Sequence, residues 1–225
     1  PSGQPVTDVG RFQAQAARAL VSDWRFTGFD RLVSSGIDLV HATDHLIPRV
    51  KKVPVVATVM DVIPLSHPQW VDYRFKRAMN WAWARSVKWA DRVITISEYS
   101  KSEICRHIGI SESDVDVVPL GVDERWFKQP AEAELTRVAK AHNLPANYLL
   151  FVGTLQPRKN LFRLMQAHRA LPNSLREQYP LIVVGRYGWG EPELLAELNS
   201  GRDPWIRWLD YVPARDLQPI VAGAT

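Results

Sequence analysis

Cysteine is almost absent from this chain of 225 residues; Cys105 is alone, which excludes an internal disulfide and any cysteine-built zinc cluster. A reducing cytoplasm is the natural setting for such a sequence. Long apolar runs are also missing: no stretch approaches the ~18–20 apolar residues that a membrane-spanning helix needs. The chain opens Pro1-Ser2-Gly3-Gln4-Pro5, without an initiator methionine and without the charged-then-apolar order of a secretory signal. A fragment or a processed chain is expected to look this way. The net charge of +4 is too mild to call for nucleic acid, and none is expected as a partner. There is no Gly-x-Gly-x-x-Gly, Walker loop, His-Glu-x-x-His or Gly-x-Ser-x-Gly. Dinucleotide oxidoreduction, P-loop chemistry, zinc proteolysis and serine hydrolysis therefore lack their usual sequence marks.

What is present is an alternation. Apolar runs rich in Val, Ile and Leu predict strands at 38–42, 54–60, 92–96, 115–119, 148–153, 181–185 and 205–209. Most show no inside-outside alternation, as expected of parallel strands covered on both faces. Between them the pattern predicts helices at 10–21, 70–91, 98–108, 131–142, 160–171, 191–199 and 214–223. Ser97 closes the 93–96 run just before one helix, and Ser100 to Glu103 has capping-box spacing. Strand–helix alternation gives an α/β fold with mostly parallel sheets. The polar stretch 123–131 marks a boundary between two Rossmann-like domains, 1–128 and 129–225, each small for a complete doubly wound unit.

One stretch carries the most chemistry: Gly153-Thr154-Leu155-Gln156-Pro157-Arg158-Lys159-Asn160, directly after an apolar strand. Gly153 lets a ligand approach the backbone. In open α/β sheets ligands bind beyond the carboxyl ends of strands, and a helix N-terminus there adds free N–H groups. An Arg fork beside a Lys point charge suits a diphosphate. On spacing alone, the same pair also reads as a solvated helix start.

Residues 74–92 hold six basic side chains and one acidic one. On a helical projection Arg74, Arg77, Arg85, Lys88 and Arg92 share a face with Trp81, opposite Met79, Trp83, Val87 and Ala90. Two readings stay open: a cationic surface for anionic headgroups, or an ordinary helix whose Arg stems cover apolar area. Asp114-Val115-Asp116 has the Asp-x-Asp spacing of metal-dependent transferases, but in turn-like composition, and no metal site is expected. Trp189, between Gly188 and Gly190, either approaches a ligand or fills a surface gap.

The Gly153–Asn160 segment resembles the GT-x-x-P-R-K-N stretch of the retaining glycosyltransferases of family four, a GT-B group including mannosyltransferase-like enzymes. The likeness continues, in family order, through Val40-His41-Ala42-Thr43-Asp44-His45, 55–64 with His67-Pro68-Gln69-Trp70, Ala90 to Glu98, Val117 to Asp123, and Leu181-Ile182-Val183-Val184-Gly185. It spans most of 36–225. It implies a GT-B fold whose two domains are both incomplete here. It also implies a hexose donor linked to GDP or UDP, a saccharide or lipid-linked acceptor, retention of configuration, and no metal or other cofactor. Arg158 and Lys159 would hold the donor diphosphate and stabilise the departing nucleotide; Gly153 and Thr154 would line the donor pocket. Asp61 would face the interdomain cleft on the acceptor side. The setting would be polysaccharide assembly in the cytoplasm or at the inner face of the membrane.

Two departures from the family pattern stand out. Met60 precedes Asp61 where the family shows His, and a thioether cannot donate a hydrogen bond. The family's Glu-x7-Glu segment and N-terminal Gly-rich loop are not in this chain, so residues 1–225 alone are expected to be inactive. A non-catalytic protein that binds nucleotide sugars or assembly partners is the rival expectation.

Overall fold

The computed structural model describes residues 37–43, 47–50 and 53–225; the helix expected at 10–21, together with Asp44 and His45, lies outside the described residues. The chain divides into two compact units after Gly121. The 123–131 stretch belongs to the second unit, because the Gln218 amide donates to the carbonyls of Arg125 and Lys128.

All seven expected strands form, each shorter than its apolar run. In the first unit β1 (Val40–Ala42), β2 (Val55–Thr58), β3 (Arg92–Thr95) and β4 (Val115–Val117) make one parallel sheet in that order. Stepwise parallel order with right-handed crossovers carries the connecting helices to a common face. Accordingly α1 (Ile63–Ser66), α2 (Lys76–Val87) and α3 (Glu98–Ile108) pack on one another. Val55, Ala57, Val93 and Val115 from the sheet meet Trp83, Val87, Ile104 and Ile108 from the helices in a single core.

The local rules explain α3. Ser97 is extended and its hydroxyl accepts from the Ser100 amide, while Gly109 closes the helix in a left-handed conformation. The cap is thus Ser97, and the Ser100-to-Glu103 spacing falls inside the helix.

The helix expected over 70–91 is cut down to α2: Trp70 closes a 3-10 turn begun at Pro68, and residues 71–75 lie outside any helix. Phe75 sits at φ 56° and breaks the run ahead of α2. Asn80 pins the loop by donating to the Pro64 carbonyl and accepting from Tyr73. The amphipathic reading is corrected accordingly. Arg74 precedes the helix, and Arg92 is the first residue of β3, where it grips Asp116 through a bidentate pair at 2.6–3.1 Å. Met79, expected on the buried side, is exposed; Trp83 and Val87 are buried with Asn80 and Ser86.

In the second unit β5 (Leu149–Val152), β6 (Leu181–Val184) and β7 (Ile206–Trp208) run parallel in that order. Every residue of β6 is buried. Leu181 and Val183 point to a core shared with α5 (Leu161–Arg169) and α7 (Pro192–Ser200). Ile182 and Val184 point to a second core shared with α4 (Glu132–Ala141) and α8 (Ala214–Ala222). Period-two alternation thus fills both faces of one strand, which is why its sequence reads as continuously apolar. A short α6 (Asn173–Gln178), unmarked in the sequence pattern, follows Pro172. At the amino-terminal edge of this sheet Arg169 and Arg176 both donate to Asp203. Burial opposes the charge on Asp203, but these partners and the Trp205 amide hold its carboxyl below the usual range.

Candidate functional site

The carboxyl-terminal edge of the second unit's sheet brings together four of the residues singled out in the sequence. Gly153 follows β5 at φ 150°. Thr154 is exposed beyond it, and Leu155 and Gln156 are buried anchors of the loop. Pro157–Lys159 forms a 3-10 turn, so Arg158 and Lys159 precede α5 rather than open it; Asn160, at φ 55°, makes the turn into the helix. A Cβ placed on Gly153 would stand 3.8 Å from Lys159 Cε, so the lysine stem lies back over the end of β5. Among the described residues no carboxylate or hydrogen-bond acceptor engages the Arg158 or Lys159 side chain. Two adjacent cations without a partner, beside a glycine-ended strand and the free N–H groups of α5, form a surface suited to an anion with two or more oxygens.

The loop after β6 forms the other wall. Gly185 at φ 142° backs directly onto Gly153: a Cβ there would lie 2.0 Å from the Gly153 carbonyl oxygen. The two loops continue the sheet for a few residues, with Gly153 donating to Val184 O, Leu155 to Arg186 O and Gly188 to Leu155 O, each at 2.9 Å. From β7 the Trp208 indole N–H donates to Gly185 O at 2.8 Å. Beyond the strand ends the Arg186 guanidinium lies over the Tyr211 ring, 4.7 Å from its centroid. Gln156 Oε1, Trp189 Nε1 and Glu191 Oε2 are buried on these two segments without a hydrogen-bond partner. Burial pushes the Glu191 carboxyl up.

The Arg186–Tyr211 stack and the Gly188 and Gly190 contacts were not anticipated. Their sequence signal is three glycines within six residues (185, 188, 190) after a fully apolar strand.

Asp61 belongs to the first unit. It follows β2, and its Oδ1 accepts from the Ile63 amide at 3.0 Å, starting α1. Asp61 lines a cavity of about 230 Å³ at the carboxyl end of β2, with Thr43, Thr58, Val59, Met60, Pro64 and Trp83. Met60 is 53% exposed. In the same unit His41 pairs with Thr58, another lining residue, through Nε2 and Oγ1 at 2.8 Å.

Farther along the same unit an exposed flank combines aromatic and cationic groups. Phe75 is 76% and Trp81 56% exposed, with Arg74 over the first ring and Arg85 over the second at 5.5 and 5.8 Å. No helix among the described residues is long and apolar enough to cross a membrane. Asp116 of the Asp-x-Asp segment is occupied by Arg92, and no cluster of three metal-ligating side chains occurs among the described residues.

With this geometry in place, comparison with known proteins is informative. The sequence profile of Glycosyltransferase Family 4 matches residues 6–126. The O-antigen chain mannosyltransferase B of Escherichia coli is 32% identical over 171 residues, covering 75% of this chain and 45% of that protein. The D-inositol 3-phosphate glycosyltransferase of Nocardiopsis dassonvillei is 34% identical over 121 residues, covering 50% of this chain and 27% of that protein. Among solved structures, Anabaena HepE in complex with UDP superposes with a TM-score of 0.64 at 16% identity, over 88% of this chain and 54% of that one. WaaG, a glycosyltransferase involved in lipopolysaccharide biosynthesis, gives 0.63 at 18% identity over the same shares. These two likenesses establish a shared α/β fold. The chain spans about half the length of the O-antigen chain mannosyltransferase B and of HepE, and about a quarter of the D-inositol 3-phosphate glycosyltransferase.

Proposed function

The chain belongs to Glycosyltransferase Family 4, and on that premise we propose that the protein transfers a hexose from a nucleotide-diphosphate sugar to a saccharide or lipid-linked acceptor. The observation that carries this reading is the Arg158–Lys159 pair, without a partner among the described residues, beside Gly153 at the carboxyl end of β5. Transfer breaks the bond between the sugar's anomeric carbon and the β-phosphate oxygen and forms one from that carbon to the acceptor hydroxyl oxygen, whose proton passes to the released phosphate; negative charge grows on the nucleotide as it departs. Arg158 offers a planar two-pronged donor and Lys159 a compact charge, so both interactions strengthen as that charge develops. They supply positive charge of the kind a metal contributes elsewhere, in keeping with the metal-independent, retaining chemistry that the family resemblance implies. A mannose-like donor, GDP- or UDP-linked, is supported by the likeness to a mannosyltransferase.

On the first unit, Asp61 and the cavity beside it are assigned to the acceptor. One carboxylate oxygen is committed to the Ile63 amide, and the other is left to accept from an acceptor hydroxyl. Met60 gives this cavity an apolar lip where the family pattern has His. That exposed thioether favours the second reading, a protein that binds the donor without turning it over. Incubating the complete gene product with GDP-mannose and a panel of UDP-hexoses, with and without lipid-linked oligosaccharide, separates the two. Release of the nucleoside diphosphate together with a lengthened acceptor supports transfer. Donor binding without release for every donor supports the non-catalytic reading.

The same reading puts the protein in the cytoplasm, at the inner face of the membrane. Exposed Trp81 under Arg85, with exposed Phe75 under Arg74 just ahead of α2, suits anionic headgroups, with the rings at the interface and the guanidinium groups among the phosphates. Vesicles rich in phosphatidylglycerol should sediment the protein, and Phe75→Ala with Trp81→Ala should abolish this. Equal retention by neutral phosphatidylcholine vesicles would contradict it.

A further inference from the structure

We propose that Gly188 is a positioning residue for the donor diphosphate, because its bare Cα seats the loop after β6 against Thr154 and so fixes the turn that carries Arg158 and Lys159. This rests on the donor-site reading of that turn. Glycines of one loop meet successive residues of the other. A Cβ on Gly185 would strike Gly153 O at 2.0 Å; on Gly188, Thr154 Cγ2 at 2.8 Å and Leu155 O at 3.0 Å; on Gly190, Pro157 Cγ at 2.7 Å. The loop is therefore a mould for 153–157, the segment immediately ahead of Arg158.

The mould is itself held from behind. Trp208 and the Asp210 carbonyl fix Gly185, the Gly188 amide donates to Leu155 O, and Leu155 is buried in the core beside Leu161 and Met165. The path from β7 through Gly185 and Gly188 to the 157–159 turn combines backbone hydrogen bonds with the Trp208 indole, the Thr154 methyl and the Pro157 ring set against the glycines. The Arg158 and Lys159 side chains, by contrast, are exposed and have no partner among the described residues to orient them. Their placement is inherited from the turn, and the turn's placement from the glycine mould.

Gly188 is the informative member. Gly185 and Gly190 have positive φ, so any side chain there is strained whatever it touches; Gly188 carries no such φ, and its substitution is opposed only by what the new Cβ meets. The nearest obstacle is the γ-methyl of Thr154, which serine lacks while keeping the hydroxyl. Gly188→Ala should therefore push the 154–157 segment away from β6 in the presence of Thr154, and much less so in the Thr154→Ser background.

The test is calorimetric titration of the complete gene product with GDP and with UDP, in four forms: unchanged, Gly188→Ala, Thr154→Ser, and both together. A displacement of ~1 Å at such a site can cost ~100-fold. Gly188→Ala should weaken binding of the preferred nucleotide about tenfold or more, and raise the donor KM without moving the acceptor KM. The same change in the Thr154→Ser background should cost about threefold or less. If Gly188→Ala does not fold, the double variant against Thr154→Ser alone makes the comparison, and a tenfold loss there overturns the proposal. Unchanged affinity in Gly188→Ala, or equal losses in both backgrounds, also overturns it. Lys159→Ala, titrated alongside, guards the premise: full affinity in that variant overturns the donor-site reading itself.

Discussion

Nε2 of His142, just past the last turn of α4, lies 3.0 Å from Oδ2 of Asp216 in the first turn of α8. Arg137 reaches the other carboxylate oxygen at 2.8 Å, so one buried carboxylate ties the two helices that cover the second face of the β5–β7 sheet. The hydrogen bond from His142, followed by that from Arg137, holds the Asp216 carboxyl below its ordinary range. A depressed carboxyl stabilises the fold above the ordinary Asp pKa of ~3.9, and that stability is lost as pH falls through the folded value. Asp216→Asn should lower stability at pH 7 by about 1–2 kcal/mol, since Arg137 is half exposed. Melting curves of the two forms should converge as pH falls through the folded value of Asp216. A gap that persists undiminished in acid would contradict the linkage.

Glu191 is the opposite case. Burial raises its carboxyl, and Oε2 has no partner. A raised carboxyl is least costly when protonated, so its contribution worsens as pH rises from the ordinary Glu pKa of ~4.3 through the folded value. Glu191→Gln should raise the melting temperature at pH 8 and leave it unchanged near pH 4. Lower stability of the variant at pH 8 would show that the carboxylate has a partner the geometry does not reveal.

Gly185→Ala is expected to be among the most damaging single changes to the second unit. Its Cβ would fall 2.0 Å from a carbonyl oxygen, and the backbone there is at φ 142°. Neither the clash nor the dihedral can relax without separating β5 from β6, so a loss of about 3 kcal/mol or more is expected in denaturant titrations. Near-normal stability would mean that the strand ends are looser than described.

The strands and the cation-bearing turn were legible in the sequence for a physical reason. Leu181 to Val184 is buried on both faces, so burial writes itself as an unbroken apolar run, and Pro157-Arg158-Lys159 stands between such a run and a helix. What was not legible depends on contacts between distant segments. Arg92 fits the helical projection of 74–92, although the apolar run 92–96 already marked it as the start of a strand; its partner Asp116, 24 residues on, had no local signal. Phe75 was read inside a helix because nothing local announces a left-handed residue at a phenylalanine. The match between Gly188 and Thr154 needs both loops in place before it exists at all. Glycine spacing hinted at the mould, but not at what it holds.

The central claim is that Arg158 and Lys159 bind and discharge a nucleotide-diphosphate donor, and the most direct measurement is steady-state transfer by the complete gene product and its Lys159→Ala variant. With GDP-mannose or the best UDP-hexose as donor, the account predicts that the variant loses most turnover, about 100-fold or more in kcat/KM, with its melting temperature unchanged. Turnover within about twofold of the unsubstituted protein would contradict the assignment of this turn to the donor diphosphate.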